Sequence, residues 1–338
     1  MNREGFVATA AGFLLAGAVF AVMFWLVDAE AVVRALSRAD AGLLAVVALT
    51  IVCWNASWGV ALWNVLQAQG VTVQWYQALL VNAAGAFANH VTPFGQAGGE
   101  PVTAWLLSRT ADTDYEVGLA SVASLDAINV VPSLSFAALG ATYYVGVVAV
   151  GDRLGYLPVA VVALALVVPV VAVLVWRQRR TVERYVGAAL ARLWRGVATL
   201  VPRLSPPRPG ALRERVEAFV EAVERVASDR PRLAAALAFS ALGWLLQSVG
   251  LWVTFVALDA PIPAYVAFFV VPMGTLGSVF PTPGGLGGIE AINVTLITIV
   301  TDVAPATVAA AVTIHSVGGY LLTNGIGALA TGALGVRP

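Results

Sequence analysis

Thr92-Pro93-Phe94-Gly95-Gln96-Ala97-Gly98-Gly99-Glu100 and Thr282-Pro283-Gly284-Gly285-Leu286-Gly287-Gly288-Ile289-Glu290 both read T-P-x-G-x-x-G-x-E, and lie 190 positions apart. Each string interrupts an apolar stretch near its middle, Trp75 to Leu107 in the first case and Tyr265 to Val300 in the second. Proline and clustered glycine at that depth break a helix. A broken backbone cannot face lipid, because unpaired N–H and C=O groups would each cost several kcal/mol there, so it must sit in protein or line a cavity. Two discontinuous or re-entrant helix pairs are therefore expected.

The surroundings of the two strings are membrane-like. The chain is 59% hydrophobic and 11% charged, with a mean hydropathy of +0.85; an ordinary soluble domain is about a quarter charged. Apolar runs of spanning length recur at Phe6–Val27, Leu43–Leu66, Val117–Val150, Leu157–Trp176, Leu233–Leu258 and Ala304–Leu334, which predicts about six full transmembrane helices beside the two broken pairs. The first run is longer than a signal-peptide core and reads as a retained span. The expected fold is an all-α integral membrane protein forming a single polytopic domain over residues 1–338.

The 190-residue shift also lays the run from Leu43 on that from Leu233, and the run from Val117 on that from Thr307. This predicts a two-fold internal repeat with halves 41–150 and 231–337. If both broken stretches turn back, the halves have opposite orientations; if both cross, they run parallel. Turning back is the favoured reading, because inverted repeats whose broken helices meet near the midplane are a recurring transporter plan.

All 19 basic residues are arginines, and thirteen fall between Arg177 and Arg232. The positive-inside rule places that stretch in the cytoplasm of a multi-pass cell-membrane protein. Helical periodicity over Thr181–Leu200 and Ala211–Asp229, broken at Pro202–Gly210, makes it a helical hairpin. It is read either as a basic element lying on anionic headgroups or as a solvated linker between membrane halves.

Each glycine loop leads into a resumed helix whose free N–H groups and positive dipole end would favour phosphate or carboxylate. The candidate lipid-binding set is therefore Thr92, Gly95, Gly98, Gly99 and Glu100 from the first loop, and Thr282, Gly284, Gly285, Gly287, Gly288 and Glu290 from the second. Glycine lets the backbone approach a headgroup and supplies positive φ. Glu100 and Glu290 read either as first-turn caps or as titratable groups at membrane depth. His90 abuts the first loop. Asp126 and His315 join the set because the repeat shift brings them within one position of each other, giving both halves an ionisable side chain there. Other polar residues at depth are Asn82, Asn89, Asn129 and Gln247. The single cysteine, Cys53, excludes a disulfide framework, and two histidines without an acid or thiol cluster predict no metal site and no cofactor.

Pro281 to Glu290, together with Thr92 to Arg109 and its Trp105-Leu106-Leu107, resembles the membrane region of the lysylphosphatidylglycerol synthase family over nearly the whole chain. In bifunctional members that region is a flippase for aminoacylated phosphatidylglycerol, and a separate soluble domain transfers the amino acid. The chain ends at Pro338, so the resemblance implies translocation or binding of lipid without aminoacylation. Some archaeal relatives handle polyprenyl-phosphate-linked sugars. Many members carry an arginine near the place of His315, and often an acid–arginine pair around Leu125 and Asp126; neither pattern is present here. The expected function is thus translocation of an anionic phospholipid or polyprenyl-phosphate-linked lipid, with membrane lipids as partners and no nucleic acid. Alternatives are a non-transporting membrane partner of a lipid-modifying enzyme, docked through the arginine hairpin, or a lipid-dependent glycosyltransferase using Asp112-Thr113-Asp114.

Overall fold

The computed structural model describes residues 29–92, 96–147, 211–280 and 282–335, with isolated positions nearer the N-terminus. All regular elements among them are helical: α1 Ala29–Arg38, α2 Ala41–Ala68, α3 Trp75–Val91, α4 Gln96–Thr110, α5 Tyr115–Val147, α6 Ala211–Ser228, α7 Arg230–Ala257, α8 Ala264–Gly274, α9 Gly288–Val300 and α10 Pro305–Ala333, with 3-10 turns at Thr275–Val279 and Pro283–Gly285. Among the described residues, five helical stretches are long and apolar enough to cross a membrane: Ala41–Ala68, Tyr115–Tyr143, Arg230–Ala257, Pro283–Val300 and Pro305–Ala333. Four coincide with expected spans. The runs Phe6–Val27 and Leu157–Trp176, and the hairpin residues 177–210, lie outside the described residues.

Local chemistry sets the helix ends. Asp40 caps α2 by accepting the Leu43 N–H at 2.8 Å, and Asp229 caps α7 by accepting the Arg232 N–H at 3.1 Å, each satisfying a donor that has no intrahelical partner. Beyond α2 the chain turns back so that the Trp63 indole donates to the Val73 carbonyl at 3.1 Å. Beyond α7 the Trp252 indole donates to the Ile262 carbonyl at 3.0 Å.

At the centre, α2 and α7 pack antiparallel. The Asp40 N–H donates to the Ala257 carbonyl at one end, Gly250 lies against Thr50 and Gly243 against Trp58 in the middle, and Arg232 reaches Asn64 at the other end. In lipid no hydrophobic force drives helices together, so close approach at small residues carries the packing. The same device recurs where Gly140 of α5 meets Phe269 of α8 and where Gly327 of α10 meets Ala83 and Phe87 of α3.

The two broken stretches are antiparallel hairpins. Near the first turn Gly99 of α4 lies on Asn89 of α3, and farther out Gly85 lies on Thr103; in the second, Gly277 lies on Gly288 and Gly274 on Asn293. Both stretches therefore turn back. The bounds of α2 and α7 differ by 189 positions at each end, whereas α5 and α10 begin 190 apart. A constant shift of 190 thus fails by one residue ahead of the second break. The extra residue falls between Ala264 and Thr282, where Pro272 and a 3-10 turn stand opposite the regular α3.

Over the described part of the arginine stretch, helix α6 packs one face on its neighbours. Ala222 and Val226 are buried, and Val226 packs with Val65, Ile128 and Ala236. The opposite face of α6, with Glu221 and Arg225, is exposed. Arg232 belongs to α7 and lies over the Trp63 ring at 5.2 Å.

Candidate functional site

The structure brings the end of α3, the second glycine loop and one face of α10 together. His90 stacks on Tyr320 with ring centroids 4.4 Å apart, its Nδ1 is 3.0 Å from Asn324 Oδ1, and the Tyr320 hydroxyl donates to the His90 carbonyl at 2.9 Å. Gly284 closes the contact: a Cβ there would lie 2.6 Å from His90 Cδ2 and 3.1 Å from Tyr320 Cε2. Its φ of +63° is also one that L side chains rarely adopt. The residue beside the first break is thereby locked against the loop of the second.

Glu290 is 1% exposed. One oxygen accepts the Gly287 N–H at 2.5 Å and the other accepts the Ser316 hydroxyl at 2.5 Å. Glu290, at the third position of α9, thus reaches back to the N–H of the N-cap residue Gly287, whose φ is +86°. One donor at this helix start is therefore held by the protein's own carboxyl. Glu100 is placed differently: its carboxyl lies beside that of Asp126 on α5.

Asp126 follows Glu100 by the same 26 positions that separate Ser316 from Glu290. Counted from the two motif glutamates, Asp126 thus corresponds to Ser316, with His315 one position away. One residue turns the helix by about 100°, which sends His315 to the α2–α7 side, against Trp54 at a centroid distance of 5.5 Å and beside Gly250. The structure does not bring His315 to either break.

The two motif threonines also diverge. Thr92 Oγ1 donates to the Ala88 carbonyl at 2.8 Å, whereas Thr282 Oγ1 has no partner although the residue is 1% exposed. Gly98 lies in the first turn of α4, and Gly99 and Gly288 are hairpin contacts. Gly285 has φ +74°. Gly95 lies outside the described residues. Asp112 and Asp114 are exposed in the turn between α4 and α5, with Asp112 at φ +46°. No group of three or more His, Cys, Asp or Glu among the described residues could hold a metal ion.

Sequence reasoning missed Ser316, Tyr320 and Asn324. They recur at i, i+4 and i+8, one face of α10, so the stripe was visible as periodicity in an otherwise apolar helix.

Broken helix hairpins joined at glycine loops, within a bundle of long apolar helices, define a polytopic membrane protein with discontinuous helices. The model of the lysylphosphatidylglycerol synthase TM region matches residues 10–327, and the chain belongs to that family. It is similar to a UPF0104 membrane protein of Methanothermobacter thermautotrophicus, 25% identical over 73% of this chain and 72% of the relative. A second UPF0104 membrane protein, from Pyrococcus horikoshii, is 22% identical over 80% of this chain and 81% of the relative.

Proposed function

We propose that the protein binds an anionic lipid, a phospholipid or a polyprenyl-phosphate-linked one, at the junction of its two broken hairpins and moves the headgroup between leaflets of the cell membrane. The observation that carries this reading is the His90–Gly284 contact with the Ser316, Tyr320 and Asn324 face beside it. Polar side chains and irregular backbone at membrane depth are expensive and are kept where substrate passes. The antiparallel α2–α7 pair and the matching element offsets support halves 41–150 and 231–337 as inverted copies, the plan on which alternating access rests. His90, the loop glycines and the Glu100–Asp126 pair are the groups assigned to the headgroup path; Glu290 holds the second loop in shape. The arginine-rich stretch 177–232 faces the cytoplasm in this reading.

Leaflet exchange of labelled phosphatidylglycerol and of a polyprenyl phosphate in proteoliposomes tests it. Wild-type exchange that falls at least about tenfold in His90→Ala, with the fold intact, is the expected result. No exchange of either lipid would leave the non-transporting partner as the better reading.

A further inference from the structure

A groove of about 360 Å³ opens beside the second break, lined by Phe280, Thr282, Gly288, Ile292, Thr295 and Leu296 among others. That volume is at the lower end of the range for small-molecule sites. Around its mouth Val279 is 84% and Phe280 53% exposed, surface that hydrocarbon rather than water covers in a membrane protein. Thr282 belongs to the lining, and its hydroxyl is buried and without a partner. Thr282 stands at the N-cap of the 3-10 turn Pro283–Gly285 yet makes no capping bond, where threonine ordinarily does. A buried hydroxyl left unpaired is costly, and its counterpart Thr92 spends its own on the backbone.

We propose that this groove is a lipid-chain subsite, which takes one hydrocarbon chain of a glycerophospholipid with the oxygen linking that chain to glycerol accepting the Thr282 hydroxyl proton. Among the described residues the lining holds no cationic side chain, and the Gly287 N–H at the start of α9 is bound to Glu290, so a phosphate buried here would lack a counter-charge. In a polyprenyl phosphate the phosphate is bonded directly to the chain and would be drawn in beside Glu290. In a glycerophospholipid the linking oxygen is uncharged and glycerol carbons set the phosphate farther out.

The assignment rests on the proposed function only as far as lipid binding, and its readout is equilibrium retention, not exchange. Full-length protein is equilibrated in mixed micelles with diacyl phosphatidylglycerol, its dialkyl counterpart or a polyprenyl phosphate, and retained lipid is counted by native mass spectrometry. Wild type should retain either phosphatidylglycerol. Thr282→Val should lower retention about fivefold, and Ala291→Trp, which fills the groove, should abolish it. Leu329→Trp, on a side chain 78% exposed on α10, should change nothing, and helix content confirms that each variant folds. Unchanged retention in folded Ala291→Trp would overturn the groove as the site. Retention of polyprenyl phosphate alone would overturn the choice of lipid, and equal retention in Thr282→Val would overturn the role of the hydroxyl. Lost exchange with retention intact would count against translocation alone.

Discussion

Ser316 donates its hydroxyl to Glu290 across 2.5 Å, tying the last long helix to the start of the helix that follows the second glycine loop. With the Gly287 N–H on the other oxygen, the carboxyl is fully engaged by the protein itself. Glu290→Ala strands both donors in a buried site and is expected to destabilise by about 3 kcal/mol or more. Glu290→Gln keeps an acceptor and should recover at least half of that. Thermal unfolding in detergent gives both values. A Glu290→Gln protein as stable as wild type but with no lipid exchange would show that the carboxyl is more than a cap.

The corresponding pair in the first hairpin, Glu100 and Asp126, permits an internal transplant. Asp126→Ser copies the arrangement that Glu290 and Ser316 already use, so helix content and thermal stability should be retained, within about 1 kcal/mol. Lipid exchange should drop if the Asp126 carboxyl belongs to the headgroup path. Stability and exchange lost together would instead make the pair a structural contact.

How far the sequence alone reached can be seen at these residues. The helix-breaking strings marked both turns, because proline and glycine act locally, and the apolar runs gave four long helices to within a few residues at most ends. Two results depended on three-dimensional register. What a single residue does depends on that register: the 190-position shift lays Asp126 on Ser316, and about 100° of helix rotation separates that face from the one carrying His315. Nor does spacing say which threonine hydroxyl is satisfied: Thr92 and Thr282 occupy the same place in the motif, and only the packing around them differs. Packing of one α6 face on its neighbours was equally invisible, since an amphipathic, arginine-bearing helix looks the same in sequence on a membrane surface and against a bundle.

Glycines in α10 separate close approach from mere helix composition. A Cβ on Gly327 would lie 2.5 Å from the Ala83 carbonyl oxygen and from Phe87 Cβ, whereas at Gly318 it would meet nothing within 4 Å. Gly327→Ala should push α10 from α3 and destabilise by about 1–3 kcal/mol. Gly318→Ala should be neutral or stabilising by up to about 1 kcal/mol. Comparison of their unfolding midpoints checks the helix interface on which the His90–Tyr320 contact depends, and similar losses at both positions would count against that interface.

The antiparallel pairing of α2 and α7 fixes which ends share a side of the membrane. The Asp40 N–H bonds to the Ala257 carbonyl at 2.8 Å, so the start of α2 and the end of α7 lie together, and the start of α7 lies with the end of α2. If the arginine-rich residues before α7 are cytoplasmic, Ala39 and Asp259 face outward. In a Cys53→Ala background, Ala39→Cys and Asp259→Cys should react with a membrane-impermeant maleimide on intact cells, and Ser228→Cys only after permeabilisation. Both outer positions protected together, with Ser228→Cys labelled, would reverse the orientation but keep the inverted pairing. Opposite labelling of Ala39→Cys and Asp259→Cys would break the pairing itself, and with it the structural basis for alternating access.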